Sequence, residues 1–109
     1  MRIAIPIMEN KGKDSEVAEH FGHVREMAIY DSENDKIELV DVVNSSGCSP
    51  VETIKDKNVN AIFCQGMGMK AIALCEQFGI ELKTGPYKTV KEIIENLGKL
   101  ENLEESCGH

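Results

Sequence analysis

The side chains in this chain best suited to chemistry are imidazoles and thiols, and they fall in a few short stretches. His20 and His23 bracket the Phe21-Gly22 step of "EHFGHVREMAIYD". Imidazole is a good ligand for iron or zinc, and two histidines three positions apart on a helical turn face one side. Cys64 closes the apolar run "NAIFC" and is followed by "QGMGMK", so a thiol stands where a strand gives way to a glycine turn. Cys48, in "SSGCSP", precedes a helix start, a site that favours the thiolate. The metal-ligand candidates are therefore His20, His23, Cys48 and Cys64. Gly66 and Gly68 join His20, His23 and Cys64 as the candidate cofactor-binding set. Cys107-Gly108-His109 adds a thiol, an imidazole and a carboxylate on a terminal stretch, which reads as a flexible metal clip or, more simply, as an inert solvated tail, and not as a preformed site.

Each candidate has a plainer reading. The two histidines are equally a solvated loop pair. Cys64 is equally a small buried hydrophobe, since unpaired cysteine is among the most buried residue types. Cys75 falls inside an apolar helical stripe and is read as core. Gly66-Met67-Gly68-Met69-Lys70-Ala71 formally fits a dinucleotide fingerprint, but "KTGPY" stands where an acidic ribose ligand belongs. What survives is the physical part, because amide groups at a helix N-terminus favour an anion. The bland alternative is a tight turn that needs glycine for geometry alone.

The elements that must hold these residues can be read from periodicity and turn chemistry. "RIAIPIM" alternates, with Ile3, Ile5 and Ile7 on one face, and gives a strand at 2–8. Pro6 cannot donate to a ladder, so this strand is expected to be unpaired or bulged near its end. A long loop follows through residue 23. Residues 25–31 and 36–43 flank "SEND" as an antiparallel hairpin. Ser49-Pro50-Val51-Glu52 is a helix start, with the cap, proline at the first helical position and glutamate three residues after the cap.

"NAIFC" suits a buried central strand, and the helix after it carries Ala71, Leu74, Cys75 and Phe78 at core-facing spacing before Gly79. "IELKT" is the last strand, and Thr89-Val90-Lys91-Glu92 a second capping box whose helix carries Val90, Ile93, Ile94 and Leu97 at the same spacing before Gly98. The order β-β-β-α-β-α-β-α predicts a three-layer α/β fold with a five-stranded mixed sheet. It forms one domain over residues 1–98, and 99–109 is an acidic, flexible tail.

The "HFG" turn before a strand ending in "IYD", the "GMG" after the central strand and the "TVKE" helix, in this order, resemble the dinitrogenase iron-molybdenum cofactor biosynthesis family. Its members include NifX, NafY and the C-terminal part of NifB. The resemblance covers roughly residues 1 to 98. It implies a ribonuclease H-like fold that binds an iron-sulfur or iron-molybdenum cluster without catalysis of its own, and a histidine before Phe-Gly, here His20, that touches the cofactor. The family pattern does not call for His23, Cys48, Cys64 or the terminal "CGH".

Composition narrows the alternatives. With 109 residues the chain can bury one adequate core without metal or disulfides. A formal charge of −7 and the absence of a basic cluster argue against nucleic acid, whose backbone recruits cationic surfaces. The first strand carries no carboxylate, which removes the two-metal nuclease chemistry of ribonuclease H-like folds. No serine or cysteine has a recognisable base partner for nucleophilic hydrolysis. No apolar run is long enough for a membrane span, and four cysteines outside C-x-x-C spacing fit a reducing cytoplasm. The expectation is a non-enzymatic cytoplasmic carrier that exchanges a metallocluster with a donor or acceptor protein. The alternative is a protein-interaction or small-anion-sensing module.

Overall fold

A computed structural model describes residues 1–9, 11–18, 26–41, 57–65 and 69–102, with backbone only for 69–71. The expected helix from Ser49 lies outside the described residues. The strands are β1 (Arg2–Ile7), β2 (Glu26–Asp31), β3 (Lys36–Asp41), β4 (Ala61–Phe63), β5 (Glu81–Thr84) and β6 (Glu101–Asn102), and the helices α1 (Met69–Gln77) and α2 (Val90–Glu95). They form one mixed sheet in the order β3-β2-β1-β4-β5-β6. β1 lies antiparallel to β2 and parallel to β4, β4 is parallel to β5, and β6 returns antiparallel to β5.

Alternation along β1 builds a core on each side of the sheet, because successive side chains point to opposite faces. Ile3, Ile5 and Ile7 meet Ala28, Tyr30, Phe63, Val90 and Ile93 on the face covered by α2. Ala4 meets Met27, Ile29, Ile62, Cys64 and Cys75 on the face covered by α1. With a helix on each face, the expected three layers are present. Strands buried on both faces also explain why "NAIFC" reads as continuously apolar rather than alternating.

The local stop and start signals act as their chemistry dictates. α1 ends where Gly79 takes a φ of 70°, a left-handed conformation that glycine adopts without a Cβ penalty. Gly79 N–H then donates to Glu76 O and Ile80 N–H to Cys75 O, which satisfies two carbonyls of the last turn. At α2, Thr89 Oγ1 accepts from Glu92 N–H at 3.2 Å as the capping box requires. The hairpin joins Asp31 to Lys36 across the expected turn.

Two expectations are corrected. Among the described residues the sheet has six strands rather than five. α2 stops at Glu95, short of the expected Gly98, because Asn96 turns its side-chain amide onto Glu92 O and its N–H onto Ile93 O. A 3-10 turn at Leu97–Lys99 then returns the chain to the sheet edge. There Glu101 and Asn102 pair with Thr84 and Lys83, and Lys83 Nζ donates to Asn102 Oδ1 at 2.6 Å. The start of the expected tail is therefore an edge strand. Both of its residues are exposed, so no apolar pattern marks it.

Candidate cofactor site at the carboxyl end of the central strands

β1 and β4 are adjacent and parallel, so the loops that leave their carboxyl ends emerge at the same edge of the sheet. Open α/β sheets receive ligands at such an edge. The loop after β1 leads to His20 and His23, and the loop after β4 carries Cys64 and runs into Gly66 and Gly68. His20, His23, Cys48, Gly66 and Gly68 themselves lie outside the described residues, as does the Cys107-Gly108-His109 stretch. The described residues define the frame from which these loops depart.

Pro6 is where that frame begins. Even-numbered residues of β1 turn their backbone polar groups toward β4, as when Arg2 O accepts from Asn60 N–H at 2.8 Å. Pairing of β1 with β4 runs from Ile3 opposite Ala61 to Ala4 opposite Ile62, and then the strands part. The missing N–H of Pro6 falls just past that point, where it breaks no β1–β4 ladder bond. Pro6 is thus tolerated in a central strand: pairing lapses beside it on the β4 side alone, while Met27 stays opposite it on β2.

The vacated edge of β1 is taken by residues 15–18. Ala18 N–H donates to Pro6 O at 2.8 Å and Met8 N–H to Glu16 O at 2.9 Å. The far side of the same segment pairs with the entry to α2, through Val17 N–H to Lys88 O at 2.8 Å and Val90 N–H to Ser15 O at 3.0 Å. Ser15 is fully buried, and its Oγ accepts from Lys11 N–H at 2.8 Å, closing the preceding turn. Val17 is anchored in the α2-face core and Ala18 packs against the α1-face core that contains Cys64. This strap carries the chain toward residues 19–25.

The loop after β4 is tied to the same frame. Cys64 N–H donates to Lys83 O at 2.9 Å, which extends the pairing with β5 by one bond. Gln65 then sends its side-chain Nε2 to Tyr87 O at 3.0 Å. The Tyr87 ring leans on Phe63, with centroids 6.4 Å apart. Gly85 permits this placement, because a Cβ there would stand 2.6 Å from Tyr87 Cε2.

The two described thiols are both core residues. Cys75 is fully buried, as its stripe predicts, and burial pushes its thiol up to about 11, so it stays protonated at neutral pH. Cys64 is 1% exposed within the same apolar cluster, the small-hydrophobe arrangement that competes with its reading as a ligand. Among the described residues no three His, Cys, Asp or Glu side chains gather as a metal group. None of their helices is long and apolar enough to cross a membrane. Reading the sequence missed Ser15, Ala18, Gln65 and Tyr87 as parts of the frame. The Gly-Pro-Tyr step at 85–87 was the available signal that a chain turn closes against β4.

Residues 1–100 match the family model described as dinitrogenase iron-molybdenum cofactor. The chain belongs to that family. Among relatives of this dinitrogenase cofactor family member, the uncharacterized protein MJ0580 of Methanocaldococcus jannaschii is 29% identical, over 95% of this chain and 92% of its own. The crystal structure of PH0822 superposes with a TM-score of 0.80 at 31% identity, covering 96% of this chain and 98% of that one. An NMR structure of a candidate NifB protein from Thermotoga, assigned to the DUF35 family, gives a TM-score of 0.78 at 28% identity over 94% and 92%. The family ties the chain to iron-molybdenum cofactor biosynthesis and to dinitrogenase-like proteins.

Proposed function

We propose that this chain is a non-catalytic carrier that binds an iron-sulfur or iron-molybdenum cluster, or its precursor, as exchangeable cargo. His20 is the principal ligand, His23 or Cys48 is the second, and the turn at Gly66 and Gly68 supplies backbone amides. Cys64 lines the base of the pocket. Residues 1–98 act as one cofactor-binding unit of ribonuclease H-like type in the cytoplasm, receiving cargo from one metallocluster protein and passing it to another.

One observation carries the reading. Ala18 is pinned to the carboxyl end of β1 and packs in the same cluster as Cys64, so the two loops leave the sheet side by side. His20 is two residues beyond Ala18 and Gly66 two beyond Cys64, and two residues of chain reach at most about 7 Å. A mouth with few ligands, all on loops, suits release as well as binding. An anionic cluster also matches the dipole of a helix N-terminus such as that of α1.

Anaerobic incubation with iron and sulfide, or with isolated cofactor, tests it. The expected result is a visible cluster absorption that is lost in His20→Ala while far-ultraviolet circular dichroism is unchanged. Absence of absorption in the unaltered protein would leave the interaction or anion-sensing module instead.

A further inference from the structure

Gln65 is an exposed side chain with a defined partner. Its carboxamide spans from the loop after β4 to the carbonyl of Tyr87, 22 residues away in sequence. The next carbonyl, Lys88 O, holds Val17 N–H, and the residue after Val17 is bonded to Pro6 O. A single side-chain bond therefore joins the loop that runs into residues 66–68 to the strap that runs into residues 19–25, through two backbone steps at 87 and 88. We infer that Gln65 is a positioning residue that keeps the end of β4 in register with the strap at residues 15–18. Gln65 acts through this frame and not by touching the cargo. Resting on the carrier reading, the inference adds that the frame from which both loops depart is tied by a side-chain amide before any cargo enters.

The chemistry makes this specific. Only a donor serves, because the partner is a backbone carbonyl whose lone pairs accept. Glutamate has the same length and shape as glutamine but turns an acceptor toward that carbonyl when ionised, so Gln65→Glu removes the bond without removing the side chain. Lysine at the position restores a donor on a chain long enough to reach. The exposure of Gln65 means that neither substitution leaves a core cavity.

Amide hydrogen exchange on the full chain, with and without reconstitution by iron and sulfide, is the measurement. In Gln65→Glu, exchange at Val17 N–H is expected to quicken about 3- to 10-fold, the range that one lost hydrogen bond supports. Exchange at Ala4 and Ile62, in the centre of the sheet, stays as it was. Loss of bound cluster to a chelator quickens by a similar factor, and Gln65→Lys returns both readings toward the original. Unchanged exchange at Val17, or equal acceleration at Val17, Ala4 and Ile62, overturns the inference, the second by showing general destabilisation instead of loss of register. If the unaltered protein takes up no cluster, the carrier reading fails on that arm while the exchange arm still decides the role of Gln65.

Discussion

The two ends of β1 are held by different kinds of force. At its amino end, Arg2 acts as a clamp of side-chain charge. Its guanidinium lies 3.3 Å from Asp31 and 3.7 Å from Glu38, its Nε donates to Lys57 O, and Lys57 returns to Glu38 at 3.5 Å. At the carboxyl end, the frame of Pro6, residues 15–18, Gln65 and residues 87–90 is joined by backbone bonds and one side-chain amide, and it rests on Phe63 and Val17. Surface ion pairs are screened and typically weak. Backbone bonds over an apolar footing fix geometry without relying on ion pairs. The difference is what the proposed carrier requires, one end of the sheet closed and the other left for its cargo.

The sharpest way to break this contrast is to remove the footing. Phe63→Ala deletes a fully buried ring under Tyr87 and is expected to lower unfolding free energy by about 3–5 kcal/mol, measured by denaturant titration. Loss of that size at the mouth, set beside a much smaller change for Arg2→Met, supports the assignment of forces. Equal losses would refute it. Gly85→Ala tests the same footing from the other side. Its new Cβ forces the Tyr87 ring from its place, and overpacking of this kind costs about 1–3 kcal/mol. Fluorescence of Tyr87, read against a Tyr30→Phe background, would report the displacement. Next in size, Thr89→Ala removes the cap of α2 next to Val90, whose amide holds the strap, and about 1 kcal/mol is expected. Exchange at Val90 N–H should rise with it.

What could be read in advance follows the same division. The alternation of β1, the hairpin, the stop at Gly79 and the cap at Thr89 all write their reasons into neighbouring residues, so they are visible in a window of a few positions. The strap is different. It is held by amides and carbonyls, which every residue carries, and Ser15, Glu16 and Val17 give no sign that one strand will pair on each side of them. β6 is missed for a related reason, because two exposed residues cannot show a period. At the site, the stripe correctly puts Cys75 in the core, whereas Cys64, at a strand end, has no stripe to place it and reads as core or as ligand. The importance of Gln65 depends on a carbonyl 22 residues away, and no local pattern encodes that.

The smallest expected effect concerns protons, and it separates the two ends most cleanly. Burial tends to raise the carboxyl of Asp31, but the hydrogen bonds it accepts from Glu33 N–H, Asn34 Nδ2 and Arg2 outweigh this and hold it below its ordinary value. A carboxyl depressed on folding contributes stability that is present above its unfolded value, about 3.9, and that is lost as pH falls through the lower folded value. Acid should therefore loosen the clamp first. Asn60 N–H, bonded to Arg2 O at the clamp, should begin to exchange faster below about pH 4, while Val17 and Ala18 N–H, whose acceptors are backbone carbonyls that do not titrate, should lag. Asp31→Asn should flatten the acid response at Asn60 and leave that of Val17 as it was. If the strap amides open before Asn60 as pH is lowered, the mouth is the charge-dependent end and the contrast between the two ends of β1 is reversed.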